Sequence, residues 1–144
     1  MNKDTYTLFS PDENIYYFES KGVNGNIIKA VIFNEYEKNI YNMALLDYNI
    51  ETNQFSDMSS SNNGDMPKVL ATVTAIVHDF LQKNINKTVY FEGNTSAKTK
   101  LYNRIIKNNY DFLIEFYEIR GKLDGRQIIY SKEIQYEGFY IYKK

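Results

Sequence analysis

The feature that most constrains the fold is an apolar stripe at helical spacing with a short apolar strand directly after it. Pro67 lies in the first turn of the predicted helix, where its missing N–H costs nothing, and Asp65 or Met66 is the expected cap. After the KNINK segment, residues 83–87, the TVYFEG stretch is typical of a buried strand. The stripe predicts a helix of about 18 residues with one buried face, and its members are Val69, Leu70, Val73, Ile76, Val77, Phe80 and Leu81.

Strand patterns surround this unit on both sides. A second helix is predicted from Ser96 to Lys107. The strand–helix–strand unit should form a right-handed parallel crossover, and the terminal strands are typical of antiparallel hairpins. The predicted fold class is therefore α+β, with one mixed, largely antiparallel twisted sheet and two helices. The remaining predicted strands cover residues 5–9, 14–20, 26–36, 39–49, 110–121, 126–135 and 139–144.

The polar stretch IETNQFSDMSSSNNG, residues 50–64, allows two interpretations. Either a short strand lies over residues 54–58, or the whole stretch is one long loop. Its Ser, Asn and Gly residues are typical of turns.

Length and composition predict a single globular domain over residues 1–144. The chain is 43% hydrophobic and 24% charged, as ordinary globular proteins are. Its 14 Tyr and 9 Phe favour strands, because aromatic rings pack well on a pleated, half-buried surface. The chain has no cysteine, which excludes disulfides, thiol nucleophiles and thiolate metal sites.

Charge and terminal sequence limit the partners that we expect. The net charge of -1 gives no overall field toward nucleic acid or anionic lipid, so neither is predicted as a partner. The first residues lack the apolar core of a signal peptide, and no run reaches the roughly 20 apolar residues of a membrane span. We therefore expect a soluble, cytoplasmic protein, and the abundance of Asn, Lys, Ile and Tyr indicates a bacterial, AT-rich genome.

The second predicted helix carries an unusual set of charges at its start. Lys98, Lys100, Arg104 and Lys107 follow one another with no acid between Glu92 and Asp111. A helix start has free N–H groups and a positive dipole end, so a lysine there costs roughly 0.3–1 kcal/mol unless it is screened. The last three basic residues are spaced four and three apart, which places them on one helix face.

These features predict a phosphate-bearing small molecule at the helix start from Gly93 to Lys100, where backbone N–H groups, hydroxyls and lysines would meet it. GNTSAKTK is not a phosphate loop, because that motif places its second glycine directly before the lysine. The alternative is a solvated basic face whose last two members suit the negative end of the helix. The predicted ligand contacts are Gly93, Asn94, Thr95, Ser96, Lys98, Lys100 and Arg104.

His78, the one histidine, lies at the edge of the apolar stripe with Asp79 beside it in sequence. Adjacent helical residues point in different directions, so the two form no catalytic dyad by themselves. We interpret His78 as a core or rim histidine. One histidine and no cysteine also exclude a structural zinc site.

Two motifs are similar to those of a family of small uncharacterised bacterial proteins. The first is NNGDMPKVLATV, which starts at Asn62 and fits NNGD-x-x-KVLATV. The second is GNTSAKTKLY, which starts at Gly93 and resembles G-[ST]-T-x-A-[RK]-T-[RK]-LY, with Asn94 at its second position. The resemblance spans most of the chain and implies a shared fold, and the basic pair of the family corresponds to Lys98 and Lys100.

The element order also resembles the GCN5-related N-acetyltransferase fold. In that family the second helix opens with Asn, then Ala, then Leu-Tyr, which Asn94, Ala97, Leu101 and Tyr102 nearly fit. That family binds the pyrophosphate of acetyl-CoA with a glycine-rich turn before its first long helix, whereas this chain has SNNGDMPK there. The resemblance therefore implies a diverged relative that kept the scaffold.

Three hypotheses follow for the function. The first is a non-catalytic module that binds an anionic ligand at the helix start from Gly93 to Lys100. The second is a protein–protein module that forms a homodimer through its aromatic terminal strands, since exposed strand edges need covering. The third is a degenerate acyltransferase that uses CoA. No catalytic residue, cofactor or metal site is predicted.

Overall fold

Strands lie at both ends of the chain, and two helices interrupt them in the middle. The structure is a computed structural model that describes residues 4–57 and 63–144. In this part of the chain, five strands precede helix α1 (Met66–Lys83): β1 (Phe9–Asp12), β2 (Ile15–Gly22), β3 (Gly25–Glu37), β4 (Ile40–Asn49) and β5 (Gln54–Asp57). Strand β6 (Thr88–Glu92) leads to helix α2 (Ser96–Leu113), and β7 (Tyr117–Leu123), β8 (Arg126–Ile129) and β9 (Gly138–Lys143) follow.

The nine strands of the described residues form one sheet. Its order is β1-β2-β3-β4-β6-β9-β7-β8, and β5 pairs with β4 beside this path. Strands β4 and β6 are parallel, and the other pairs are antiparallel. The described chain thus has a mixed, largely antiparallel sheet with two helices, and a crossover through α1 joins its parallel pair. The predicted α+β class is confirmed.

Both helices pack on the same face of the sheet. The ring of Phe33 stacks on that of Phe80 of α1 at 4.0 Å between centroids, and Phe91 meets Tyr102 of α2 at 5.1 Å. The pairing register places Phe33 and Phe91 on one side of the pleated sheet. The core therefore lies between this face and the two helices. The opposite face carries no helix in the described chain.

The parallel pair is short, and its two strands then separate. The pairing runs over three residue pairs and ends at Asn42 opposite Tyr90. Both strands continue beyond this point, β4 to Asn49 and β6 to Glu92. The later part of β4, residues 46–49, pairs with β5 instead.

The start of the chain differs from its prediction. The strand predicted over residues 5–9 is instead β1, which begins at Phe9. The backbone N–H of Tyr6 donates to the hydroxyl of Thr72 on α1 at 2.9 Å, and its hydroxyl donates to Asp65 at 2.5 Å. The segment before Phe9 therefore packs against the start of α1 rather than in the sheet.

Of the two interpretations for residues 50–64, the short strand is confirmed by β5, Gln54–Asp57. Met58, the last residue of that prediction, and the Ser/Asn run up to Asn62 lie outside the described residues.

The second helix is longer than predicted. It does not end at Lys107 but continues to Leu113, and β7 begins only at Tyr117, so the strand prediction was wrong for residues 110–116. The buried Asn109 donates its side-chain amide to the carbonyl of Ile105, one turn earlier, at 2.8 Å. This local bond accommodates a residue of low helix propensity inside a helix. Leu113 then continues the buried face of α2.

The strand predicted over residues 126–135 was also too long, because β8 ends at Ile129. The buried side chain of Asn103 on α2 forms two hydrogen bonds with the backbone of Tyr136. Its amide donates to the carbonyl of Tyr136 at 2.9 Å, and its oxygen accepts from the backbone N–H of Tyr136 at 2.9 Å. The chain therefore leaves the sheet after Ile129 and packs against α2.

Candidate functional site

The start of α2 is fixed by its own side chains. Thr95 is the N-cap, and its hydroxyl accepts from the backbone N–H of Lys98 at 3.1 Å. Thr99 donates its hydroxyl to the carbonyl of Thr95 at 2.9 Å. An ideal Cβ at Gly93 would lie 2.4 Å from the backbone nitrogen of Thr99, so the close approach of strand end and helix requires glycine here. Two of the predicted ligand residues, Gly93 and Thr95, thus also have a structural role.

The other predicted contacts divide into two groups. Asn94 and Ser96 are exposed at the helix start, and Lys98 is half-buried and already interacts within the chain. Lys100 and Arg104 are exposed further along α2 and face a cleft that the helix start does not line. The structure therefore brings Lys100 and Arg104 together in the cleft. The other five predicted contacts remain at the start of α2.

This basic cleft, of about 330 Å³, lies between α2 and the segment that follows β8. Lys100, Arg104 and Lys107 line its helix side, and Lys132 lines the other side. Four cationic side chains therefore surround one concave surface. Tyr130 contributes an aromatic wall beside them.

The position of Arg104 and Lys107 shows that they do not stabilise the negative end of the α2 dipole. As the last residues of a helix they would be stabilised by the negative end of its dipole. Because α2 continues to Leu113, both lie in its middle, away from that end. The charge of this helix face therefore has no source of stabilisation in the dipole of α2.

The cleft has little negative charge to balance these cations. Among the described residues that line it, Glu133 is the single acid. The hydrogen bond from the Ser131 hydroxyl lowers the pKa of Glu133, and Lys107 and Lys132 lower it further, so this group stays ionised. Lys132 also lies 3.5 Å from Asp111, but this exposed ion pair is weak. A positive potential remains along the helix side of the cleft.

The far wall of the cleft depends on Asn103. Its two bonds to Tyr136 hold the segment of Lys132 and Glu133 against α2. The rings of Tyr130 and Tyr136 pack at 5.4 Å and support the same segment. Sequence reasoning missed Asn103 and Lys132. The signal for Asn103 was a polar residue within the apolar face of α2, which needs a hydrogen-bond partner when it is buried. Lys132 had no such signal.

A profile described as "Family of unknown function (DUF6934)" matches residues 2–144. The chain belongs to this family. No curated protein and no solved structure matches the chain. The prediction that the chain belongs to an uncharacterised family is therefore confirmed. The description of the family assigns it no activity.

In this DUF6934 chain, the described part of the NNGD motif forms a buried polar cluster at the start of α1. The side-chain amide of Asn63 donates to the Ser20 hydroxyl at 3.1 Å and to the carbonyl of Gly25 at 2.9 Å. The carboxylate of Asp65 accepts from the hydroxyls of Ser20 and Tyr6, each at 2.5 Å. Asp65 is the N-cap of α1, but its side chain makes no capping bond. The described motif residues therefore hold α1 to strand β2, and Asn62 lies outside the described residues.

His78 lies in an aromatic corner of the core. Its Nδ1 is 2.6 Å from the hydroxyl of the buried Tyr117, and the rings of Phe112 and Phe116 lie at 5.2 and 5.0 Å. Burial lowers the pKa of His78, and the nearby Lys143 lowers it further. Burial also raises the pKa of Tyr117. These shifts keep both groups neutral near pH 7, in accord with a core or rim histidine.

Residues 4–57 and 63–144 contain neither a metal-ligand cluster nor a membrane-spanning helix. No three His, Asp or Glu side chains converge there as ligands of a metal ion. Neither α1 nor α2 is long and apolar enough to cross a membrane.

Proposed function

We propose that this protein is a non-catalytic module that binds a phosphate-bearing small molecule in the basic cleft beside α2. The observation that carries the proposal is the set of four cations around a cleft that one acid lines. Cationic side chains bind phosphate oxygens by charge-assisted hydrogen bonds. Arg104 could bind two oxygens at once, whereas Lys100, Lys107 and Lys132 act as point charges.

The start of α2 extends this site to a second phosphate. A helix rises about 1.5 Å per residue, so Lys100 lies about 6 Å further along the axis than Ser96. A ligand with two linked phosphates could span this distance. Its first phosphate would meet the helix start, with Asn94, Thr95 and Ser96, and its second would meet the cleft.

A thermal-shift panel on the purified protein tests this proposal. The additives are inorganic phosphate, pyrophosphate, ATP and CoA, each at low and at high salt. A ligand at about 100 times its dissociation constant adds about 2.7 kcal/mol, which raises the unfolding midpoint by several degrees. High salt should reduce the shift, because it screens exposed charges. A shift with CoA and none with pyrophosphate would favour the degenerate acyltransferase instead.

The variant Lys100→Ala/Arg104→Ala locates the site. Loss of two charge-assisted contacts should weaken binding about 100-fold, at roughly 1.4 kcal/mol each. The matched control is Lys21→Ala/Lys38→Ala, which removes the same charge from exposed positions on other elements. A flat panel, or an equal loss of affinity in the control, would contradict the proposal.

Self-association is a second candidate, and the exposed edge of β8 favours it. Ile129 on this edge strand is 75% exposed, and an exposed apolar edge tends to pair with another chain. A second edge strand, β1, contains Pro11, which cannot donate to a sheet ladder. A homodimer through β8 predicts twice the chain mass in light scattering, and Ile129→Lys should return it to the monomer. A monomeric mass at about 100 μM would contradict a homodimer with a dissociation constant below that concentration.

A further inference from the structure

A second concave site lies on the sheet face that is opposite the helices. This tyrosine hollow, of about 560 Å³, is lined by the rings of Tyr36 on β3, Tyr90 on β6 and Tyr140 on β9. It forms beside the last pair of the parallel ladder, Asn42 opposite Tyr90, where β4 and β6 begin to separate. The hollow shares no lining residue with the basic cleft, so the two sites are independent.

A break in the sheet register occurs at Tyr36. Strands β3 and β4 pair Glu35 with Tyr41 and then Glu37 with Ile40, which makes Tyr36 the extra residue of a β-bulge. A bulge redirects a side chain and is common beside binding sites. Tyr36 remains 55% exposed although its ring lies 6.1 Å from that of Tyr90. An exposed ring at a bulge over a concave surface is available to a ligand.

The three rings form a bent wall rather than a parallel slot. The planes of Tyr36 and Tyr90 meet at 57°, and those of Tyr90 and Tyr140 meet at 39° with 4.6 Å between centroids. A flat nucleobase stacks best on parallel or offset rings. A pyranose ring is puckered and presents C–H groups on its faces, so it fits against tilted rings.

The polar groups of the hollow are balanced in charge. The carboxylate of Glu92 accepts from the hydroxyl of Tyr90, and Lys122 lies 3.3 Å from the carboxylate and 3.4 Å from that hydroxyl. The charges of Lys122 and Glu92 cancel. Glu92 would repel a phosphate, and Lys122 would repel a cationic ligand. Asn34 and Asn42 each add a donor and an acceptor. This set suits an uncharged ligand that carries many hydroxyls.

A single nucleic-acid strand fits the hollow less well. Binders of single strands combine aromatic platforms with a cationic groove that follows the phosphates. The hollow's one lining cation among the described residues, Lys122, is paired with Glu92. From the bent aromatic wall, the balanced charge and the paired donors and acceptors, we infer that the tyrosine hollow binds a neutral saccharide.

Calorimetric titration with neutral oligosaccharides tests this inference. The probes are hexamers of α-glucose, β-glucose, xylose and N-acetylglucosamine, with uridine and adenosine as competing ring ligands. Each is added up to about 10 mM, which reveals dissociation constants in the millimolar range. At least one oligosaccharide should bind, with little dependence on salt because no net charge takes part. If no oligosaccharide binds detectably, or if only the nucleosides bind, the inference is overturned.

Four variants separate this site from the rest of the molecule. Tyr36→Ala should weaken saccharide binding at least tenfold, and Glu92→Gln should weaken it while the fold is kept. Phe9→Ala is the matched control, because Phe9 is a 64% exposed aromatic residue on the far edge strand. The cleft variant Lys100→Ala/Arg104→Ala should leave saccharide binding unchanged. Equal binding by Tyr36→Ala and wild-type protein would place any saccharide elsewhere and refute the hollow.

Discussion

At the scale of single residues, the contact between Gly121 and Tyr136 controls how the wall of the basic cleft packs on the sheet. An ideal Cβ at Gly121 would lie 2.1 Å from the ring of Tyr136. That ring is buried and confined by Tyr130 and Phe139, so it has little room to move. We expect Gly121→Ala to lower the free energy of unfolding by about 1–3 kcal/mol through overpacking. Urea denaturation followed by circular dichroism measures this loss.

A smaller residue at position 136 provides the control for this contact. Combining Gly121→Ala with Tyr136→Leu should cost less than the sum of the two single changes, because the methyl group then has space. Additive losses would show that Gly121 is required for a reason other than the ring of Tyr136.

At the scale of elements, the Asn103 side chain holds the segment after β8 against α2. Asn103→Leu would leave the buried N–H and C=O of Tyr136 without partners, at a cost of about 1–3 kcal/mol for each. Asn103→Asp keeps the acceptor but turns a buried carboxylate oxygen toward the carbonyls of Thr99 and Tyr136, so it should destabilise the fold as well. Hydrogen exchange at the Tyr136 amide should accelerate in the leucine variant. Unchanged exchange there would mean that this side chain does not hold the segment.

The contact between Asn103 and Tyr136 illustrates which parts of the fold could be predicted from the sequence and which could not. Helix α1 depends on residues that are neighbours in sequence, and it appears where its pattern places it. The segment after β8, in contrast, is held by the contact between Asn103 and Tyr136, which are 33 positions apart. No local pattern encodes that contact.

At the scale of the whole molecule, the net charge does not indicate how the charges are distributed over the surface. A net charge of -1 gives no overall field, yet four cations line one cleft. Spacing along α2 predicts the shared face of Lys100, Arg104 and Lys107, because helix geometry is local. It could not predict that Lys132 would join them, since that depends on where the chain folds back after β8.

Stability against acid is also a property of the whole molecule, and two neighbouring groups on α1 contribute to its pH dependence. Burial lowers the pKa of His78 below its ordinary value of 6.5. Burial opposes the charge on Asp79, but hydrogen bonds from Tyr16 and Lys83 outweigh it and lower the pKa of that carboxyl below 3.8. In both cases the unfolded chain binds the proton more tightly than the folded protein. Their stabilisation is therefore complete above the ordinary pKa values and is lost as the pH falls.

The loss should come in two steps, the first below about pH 6.5 from His78 and the second below about pH 4 from Asp79. Glu92 and Glu133, whose pKa values are also lowered, add to the second step. His78→Gln keeps a polar partner for Tyr117 and removes the titration, so the urea midpoint should no longer fall between about pH 7 and pH 5. Tyr16→Phe removes the 2.6 Å hydrogen bond to Asp79 and should reduce only the second step. If the first step persists in His78→Gln, its proton binds elsewhere. The core histidine would then play no part in the acid sensitivity of the fold.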